Sequence, residues 1–276
     1  MPRQFSQVNV FSRDPLAGNP LAVVPDARGL SEAQMAALAR WTNLSETTFL
    51  LPPGAPGADY RVRIFTPSGE LPFAGHPTLG SCHAWLAAGG KPRKQGLAMQ
   101  QCGIGLVSVR CDGPRLEFAA PPLKRSGPLE PEVLAKIARA LGLPPSEIVR
   151  HQWADNGPGW CAVMLRSARQ VLSLAPDWAA LGSLNLGVVG PHDAGHDAAF
   201  EVRAFIGGGG YEDPVTGSLN ASLAQWLFAA GVAKSPYVAA QGGALQRAGR
   251  VYLRKDDDGV WVGGDVVEVI HGEISL

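Results

Sequence analysis

The stretch Arg63-Ile64-Phe65, followed by Ala74-Gly75-His76 and an apolar run from Leu79 to Ala88, has a second copy later in the chain. The copy reads Arg203-Ala204-Phe205, followed by Thr216-Gly217-Ser218 and an apolar run from Leu219 to Ala230. The two Arg-x-Phe pairs lie 140 residues apart and the two glycines 142 apart, which is close to half of the 276 residues. This spacing predicts a duplicated domain in which each half runs a strand through a glycine turn into a helix.

The two repeated helices are predicted to be buried on every side. Neither Thr78–Ala88 nor Ser218–Ala230 has a charged face, and a helix that is polar on no face is typical of a protein interior. Strands wrapped around a central helix would provide that interior. We therefore predict an α+β fold with two pseudo-symmetric domains, each a β-rich sheet or barrel wrapped around one central buried helix, with a cleft between them.

A segment rich in proline and glycine, residues 119–128, marks the predicted domain boundary. We expect an N-terminal repeat domain over residues 1–120 and a C-terminal repeat domain over residues 121–265. The final strand, which begins at Val266, is predicted to cross back, so that residues 266–276 pack on the first domain. Two further helices are predicted at Ser31–Trp41, with Ser31 as the N-cap, and at Pro131–Leu141.

Composition excludes several classes of partner. Lys and Arg together number 24, as do Asp and Glu, and no long basic stretch is present, which argues against nucleic acid as a partner. No apolar run approaches the length of a membrane span, and the N-terminus lacks the apolar stretch of a signal peptide. The four cysteines form no Cys-x-x-Cys pair. We expect reduced cysteines and a cytoplasmic protein without a membrane partner.

The first candidate for chemistry is Glu46, in Asn43-Leu44-Ser45-Glu46-Thr47 at the end of a helix. The matching segment of the second half, Asn185-Leu186-Gly187-Val188, places Gly187 or Val188 opposite Glu46. An uncharged counterpart indicates that the scaffold does not require the acid. The alternative is a solvated loop acid or a helix cap.

The other candidates lie at the starts of the two buried helices, where unpaired N–H groups and a partial positive charge favour an anion. They are Gly75 and His76 in the first half, and Asp213, Gly217 and Ser218 in the second. These residues predict a site for a small carboxylate substrate. The alternatives are a structural histidine at position 76 and simple helix capping by Asp213 and Ser218.

Two further motifs are interpreted as non-functional. His192 and His196 have a spacing found in metal sites, but they lie in a polar connection without a neighbouring cysteine, so an exposed loop is expected. The acidic run 256–258 lacks the calcium-loop pattern and predicts a hairpin tip. No metal site is expected.

Taken together, the motifs resemble the phenazine-biosynthesis PhzF family, which has the diaminopimelate epimerase-like fold. The resemblance covers nearly the whole chain. Its motifs are Phe11 with Gly18-Asn19-Pro20-Leu21-Ala22-Val23, Asn43-Leu44-Ser45-Glu46-Thr47, Arg63-Ile64-Phe65-Thr66-Pro67, Glu70-Leu71-Pro72-Phe73-Ala74-Gly75-His76-Pro77-Thr78 and Glu212-Asp213-Pro214-Val215-Thr216-Gly217-Ser218.

The resemblance implies an active site between the two domains, no cofactor or metal, and a homodimer. The best-known member isomerises trans-2,3-dihydro-3-hydroxyanthranilate by moving a proton, and its catalytic glutamate matches Glu46. The family's active-site histidine, aspartate and serine match His76, Asp213 and Ser218. Related epimerases carry paired cysteines at the turns before the helices, and none of the four cysteines of this chain falls there.

The resulting hypothesis is a cofactor-independent isomerase in which Glu46, His76 and Asp213 are catalytic and Gly75, Gly217 and Ser218 bind substrate. An epimerase or racemase without a thiol pair is the first alternative. A non-catalytic protein that binds small carboxylates is the second.

Overall fold

The computed structural model describes residues 2–276, and the chain divides into two compact units. The first unit contains the residues up to Ala119 together with Gly263–Leu276, and the second contains Ala120–Val262. Both units are rich in strands and have few helices, as the predicted α+β class requires.

The first part of the chain forms eight strands and two helices. They are β1 (Pro2–Val10), β2 (Asn19–Val24), α1 (Glu32–Thr42), β3 (Glu46–Leu51), β4 (Tyr60–Thr66), β5 (Gly69–Leu71), α2 (Gly75–Ala87), β6 (Leu97–Cys102), β7 (Gly105–Arg110) and β8 (Leu116–Ala119).

The remainder of the chain forms nine strands and four α-helices, together with short 3-10 helices. The elements are α3 (Pro131–Ala140), β9 (Arg150–Trp153), β10 (Trp160–Met164), α4 (Ala168–Leu172), α5 (Trp178–Leu181), β11 (Asn185–Pro191), β12 (Phe200–Ile206), β13 (Tyr211–Asp213), α6 (Gly217–Ala229), β14 (Tyr237–Gln241), β15 (Gly249–Asp256), β16 (Gly259–Gly264) and β17 (Val266–Ser275), with 3-10 helices at Pro145–Glu147, Gly207–Gly209 and Gly243–Leu245.

The sheet of the first unit follows the order β17-β1-β2-β3-β4-β6-β7-β8. β1 is antiparallel to β2, β2 is parallel to β3, β3 is antiparallel to β4, β4 is parallel to β6, and β6 is antiparallel to β7. The short strand β5 pairs with the end of β4. The last strand, β17, pairs antiparallel with β1 from Pro2↔Ser275 to Val10↔Val266.

Helix α2 is the centre of this first unit. It contacts β1, β2, β3, β6, β7, β8 and β17, and nine of its residues, from Gly75 to Ala84, are buried. The absence of charge in its sequence therefore reflects its surroundings. Helix α1 lies on the other face of the sheet, where Met35, Leu38 and Ala39 pack with Phe49 and Phe65.

The second unit repeats the order of pairing. β9 is antiparallel to β10, β10 is parallel to β11, β11 is antiparallel to β12, β12 is parallel to β14, and β14 is antiparallel to β15. The short strand β13 pairs with the end of β12, as β5 does with β4. Ten residues of helix α6 are buried, and its Leu219 packs against Gly187 of β11.

The repeated Arg-x-Phe pair forms the same arrangement in each unit. Arg63 binds both carboxylate oxygens of Glu70, at 2.7 and 2.5 Å, and its guanidinium lies 5.0 Å from the ring centre of Phe65. Arg203 binds both oxygens of Glu212, at 3.0 and 2.7 Å, and lies 4.8 Å from the ring centre of Phe205. The motif thus joins β4 to β5 and β12 to β13.

None of the helices within residues 2–276 combines the length and the apolar character needed to cross a bilayer.

Candidate active site

Glu46 and His76 meet in the first unit. Glu46 is the first residue of β3, and His76 is the second residue of α2. The Glu46 Oε2 atom lies 3.3 Å from Nε2 of His76, and the two side chains are 14% and 4% exposed. A carboxyl group therefore lies beside an imidazole at the start of a buried helix.

Burial keeps His76 neutral at physiological pH. Desolvation lowers the pKa of His76 from 6.5 to about 3, because a charged imidazolium loses its hydration in this position. The close approach to Glu46 is thus a contact between a neutral ring and a carboxyl group.

Asn19 contacts the other ring nitrogen of His76. Its amide nitrogen lies 3.3 Å from Nδ1, an arrangement that favours the tautomer with Nδ1 as acceptor and the hydrogen on Nε2. Nε2 is the ring nitrogen on the side of the Glu46 carboxyl. Asn19 follows Gly18, where a Cβ atom would lie 2.1 Å from the carbonyl oxygen of Val10, so only glycine allows the chain to deliver the amide here.

The residue equivalent to Glu46 in the second unit is Asn185. Each begins its strand, and three positions further on Phe49 pairs with Arg63 as Val188 pairs with Arg203. The sequence comparison matches Glu46 with Gly187 or Val188 because Asn43-Leu44 looks like Asn185-Leu186. The register differs because Asn43-Leu44 precedes its strand. The counterpart is uncharged in either alignment.

Ser218 occupies in α6 the position that His76 occupies in α2. Its hydroxyl oxygen accepts a hydrogen bond of 3.1 Å from the indole N–H of Trp160, which leaves the hydroxyl hydrogen to donate. Its carbonyl oxygen accepts from the Asn156 amide at 2.9 Å. Trp160 and Asn156 together fix the orientation of this first turn.

Asp213 lies at the end of β13, before the same helix. Its Oδ2 atom accepts a hydrogen bond of 2.5 Å from the Thr216 hydroxyl. The N-cap residue of α6 is Thr216, and the N-cap residue of α2 is Ala74; neither makes a side-chain capping hydrogen bond. Gly75 and Gly217 are the first residues of their helices, so they contribute backbone N–H groups that α-helical bonding leaves unused.

The histidine motif differs from its prediction in one part. Residues 193–197 are exposed, as expected, but the His192 side chain is 11% exposed and lies 3.0 Å from Oε2 of buried Glu201. The prediction fails for His192 because the residue follows β11 directly and turns toward β12. Across residues 2–276, His, Cys, Asp and Glu side chains form no group of three or more that could hold a metal ion.

Sequence reasoning missed four polar residues that support the candidates, namely Asn19 as the partner of His76, Trp160, Thr216 and Gln241. Asn19 and Thr216 stand in recognised motifs, without a role assigned to them. Trp160 and Gln241 are both buried, and only burial together with strand order reveals their hydrogen-bond partners.

Comparison with known proteins gives a consistent result. A family model described as PhzC-PhzF, phenazine biosynthesis-like protein, matches residues 8–272. The chain is 36% identical to an uncharacterised isomerase of Mesorhizobium japonicum, over 99% of each sequence. It is 34% identical to the trans-2,3-dihydro-3-hydroxyanthranilate isomerase of Pseudomonas aeruginosa, over 93% of this chain and 91% of that protein.

Solved structures agree with the sequence relatives. The crystal structure of a phenazine biosynthesis protein of the PhzF family from Enterococcus faecalis superposes with a TM-score of 0.82 at 25% identity, covering all of both chains.

Proposed function

Because the chain belongs to the PhzC-PhzF family of phenazine biosynthesis-like proteins, we propose that it moves a proton within a small amino or hydroxy carboxylic acid without a cofactor. Family membership and the PhzF-type structural neighbours confirm the predicted family and fold class. Relatives named as isomerases confirm the predicted class of enzyme. The reaction mechanism and the substrate belong to the proposal.

The observation that carries the proposal is the 3.3 Å approach between the Glu46 carboxyl and Nε2 of neutral His76. A carboxylate takes a proton from an activated carbon most readily when it is partly removed from water. In the proposed reaction, Glu46 breaks one C–H bond, the double bond shifts, and Glu46 delivers a proton to the carbon at the other end. No electrons are gained or lost, so the reaction needs no redox partner.

His76 would act as a hydrogen-bond donor in this scheme. Its Nε2–H faces the side of the substrate next to Glu46, where it stabilises negative charge that develops on a carbonyl or carboxylate oxygen. The His76 ring would stay neutral through the reaction, because its protonation requires a pH near 3.

In the second unit, the Ser218 hydroxyl and the backbone N–H groups that begin at Gly217 are proposed to bind the substrate carboxylate. The hydroxyl can donate its hydrogen to the carboxylate, because it takes part in the bond with Trp160 as the acceptor. Asp213 is proposed to contact a polar group of the substrate. It stays a prediction that these residues and Glu46 act on the same substrate molecule. The homodimer also stays a prediction, and light scattering coupled to gel filtration tests it.

The first experiment uses trans-2,3-dihydro-3-hydroxyanthranilate, the substrate named for the Pseudomonas aeruginosa relative, followed by a panel of cyclic and acyclic amino carboxylic acids. Each compound is incubated with the protein in deuterated water and followed by NMR. The proposal expects a shifted double bond with deuterium at the receiving carbon, to the extent that Glu46 exchanges its proton with solvent.

The alternatives give different spectra. Deuterium at an inverted stereocentre with no double-bond shift identifies an epimerase. If compounds bind but every compound of the panel is recovered without deuterium, the chain is a binding protein. Either result refutes the isomerase mechanism.

A further inference from the structure

A buried hydrogen-bond network holds the loop that carries Asp213. Gln241, the last residue of β14, is 1% exposed. Its Oε1 atom lies 3.0 Å from the backbone nitrogen of Thr216 and 2.8 Å from the amide nitrogen of Asn220. Its Nε2 atom lies 3.1 Å from the backbone carbonyl of Asp213 and 3.0 Å from the Thr216 hydroxyl.

The backbone fixes the orientation of the Gln241 amide. A backbone N–H can only donate, so the amide atom that faces the nitrogen of Thr216 must be the oxygen. A backbone carbonyl can only accept, so the atom that faces the Asp213 carbonyl must be the nitrogen. Both contacts give the same orientation, and the Thr216 hydroxyl therefore receives a hydrogen from Gln241.

The direction of the next bond follows from that result. A threonine hydroxyl has one hydrogen. Since the Thr216 oxygen accepts from Gln241, its own hydrogen points to Oδ2 of Asp213, at 2.5 Å. A hydrogen bond donated to a carboxyl oxygen favours the ionised form of that group.

We infer that Gln241 and Thr216 are positioning residues that hold Asp213 as an ionised hydrogen-bond acceptor, so that Asp213 binds a substrate amino group and does not serve as the general acid. The inference rests on the proposed function in one respect, namely that Asp213 contacts the substrate. It narrows the substrate class to carboxylic acids that also carry an amine.

The first unit contains a glutamine–threonine link at a different helix position: Thr78 is the fourth residue of α2 and corresponds to Asn220 of α6, whereas Thr216 is the N-cap of α6. Gln100 of β6 donates to the Thr78 hydroxyl at 3.0 Å, and Thr78 donates to the backbone carbonyl of Ala74 at 2.9 Å. Glutamine and threonine thus form a common structural link between sheet and helix. In the second unit the glutamine contacts the N-cap threonine, and the link ends on the carboxylate of Asp213, a group that can accept hydrogen bonds from a substrate amine.

Two charged side chains lie close to this loop in the sequence or the fold. Neighbouring Glu212 is paired with Arg203 of β12. Helix α6 begins with the uncharged residues Gly217 and Ser218, and β14 contributes uncharged Gln241. Arg247 lies on the other side of the loop, where its Cβ and the carbonyl oxygen of Pro214 both lie next to Gly242.

The test compares Thr216→Val, which removes the hydroxyl, with Thr216→Ser, which retains it, and with Thr78→Val as a control that removes a buried, hydrogen-bonded hydroxyl from the first unit. The first measurement needs no substrate. Aspartate is labelled with ¹³C at Cγ, and the titration midpoint of the Asp213 signal is followed against pH. Because the hydrogen bond from Thr216 stabilises the charged carboxylate more than the neutral acid, we expect Thr216→Val to raise the midpoint by about 1–2 pH units.

The second measurement is the pH profile of kcat/KM on a substrate from the deuterium experiment. The acid limb should move to higher pH in Thr216→Val and stay in place in Thr216→Ser and Thr78→Val. Circular dichroism confirms that each variant is folded, and Gln241→Met provides a second way to remove the donor to Thr216.

The outcomes separate the two proposals. An unchanged Asp213 midpoint in folded Thr216→Val overturns the inference, as does an equal shift in Thr216→Ser. A raised midpoint in a protein that turns over no compound supports the network and counts against the proposed function. Equal turnover of an amino acid and of its analogue without the amine overturns the assigned substrate class.

Discussion

The two units of this molecule share one order of strand pairing but carry different polar residues at equivalent positions. In both, an antiparallel, parallel, antiparallel, parallel and antiparallel series of strands accompanies one buried helix. At equivalent positions the first unit has Glu46 and His76, and the second has Asn185 and Ser218. In the proposed function, the first unit would supply the groups that transfer protons, and the second the groups that bind the substrate.

The features that the two units share are structural. Each keeps an arginine that binds a glutamate and covers a phenylalanine, and each keeps a glutamine linked to the buried helix. The features that differ lie at the strand starts and the helix starts. In a duplicated fold, therefore, matching residues indicate architecture, and mismatched polar residues indicate chemistry.

The largest expected effect comes from Glu46. Glu46→Gln should lower kcat/KM by about 10²–10⁴-fold, the usual contribution of general acid–base catalysis, while the fold is retained. Asn185→Ala should leave kcat/KM within a few-fold of the parent protein, because Asn185 holds only the carbonyl of Pro158. Turnover by Glu46→Gln at the parental rate would contradict the assignment.

The two arginine–glutamate pairs should differ in their contribution to stability. Arg203 and Glu212 are 6% and 5% exposed, whereas Arg63 and Glu70 are 17% and 38% exposed. Removing one partner of a buried pair costs about 3–5 kcal/mol, because it leaves an uncompensated charge. Exposed pairs contribute about 0–1 kcal/mol.

Urea unfolding measures this difference directly. Glu212→Gln should lower the free energy of unfolding by about 3–5 kcal/mol, and Glu70→Gln by less than about 1 kcal/mol. Equal losses in the two variants would show that the difference in burial has no energetic consequence.

His76 should make the protein sensitive to acid. Its pKa is about 3 in the folded chain, against 6.5 for the free group, so the unfolded chain binds an extra proton between those values. Stability is therefore highest above pH 6.5 and falls as the pH is lowered toward 3, by up to about 1.4 kcal/mol per pH unit from this group.

The corresponding measurement is the free energy of unfolding at pH 7.5, 6 and 5, chosen as roughly bracketing the start of that window. His76→Gln should gain stability relative to the parent protein as the pH falls. Ser218→Ala, at the equivalent position of the second unit, should show no such trend, because serine does not titrate in this range. Parallel pH curves for the parent and His76→Gln would refute the burial effect.

The smallest expected effect concerns the helices between the second and third strands of each unit. Ser31 caps α1 and Ser167 caps α4, each by accepting from a backbone N–H three residues on. Ser31→Ala and Ser167→Ala should each cost about 1 kcal/mol of unfolding free energy. Threonine at either position should recover most of the lost unfolding free energy. If both alanine variants melt at the same temperature as the parent protein, the capping role is contradicted.

Much of the architecture could be predicted because it depends on local sequence. Helix α1 begins after Ser31 as predicted, and its capping box with Gln34 is local. The buried helices are found at Gly75–Ala87 and Gly217–Ala229, close to the predicted segments. Absence of charge over three helical turns is a strong signal for burial.

Strand β11 shows where local sequence misleads. Residues 184–199 contain three glycines and a proline, which is typical of a loop, yet Asn185–Pro191 is a buried strand. Positions 187 and 190 have no room for a side chain, because Leu219 lies against Gly187 and the backbone of Ser167 lies against Gly190. Close packing accounts for these glycines, and no turn is needed.

The candidate site could be predicted only in part. Glu46, His76, Asp213 and Ser218 stand in recognisable motifs, and the structure brings Glu46 and His76 together. The supporting residues depend on partners distant in sequence: Gln241 lies 28 residues from Asp213, and Trp160 lies 58 from Ser218. Such contacts follow from strand order, which spacing along the chain does not reveal.

The pairing of β1 with β17 has a consequence for biosynthesis. The N-terminal strand is made first, but its outer edge gains a partner only when Val266–Ser275 leaves the ribosome. The second unit is a continuous segment, Ala120–Val262, and needs no later residues. During translation, the unit that starts first is therefore completed last, and until then it exposes an open strand edge of the kind that chaperones protect.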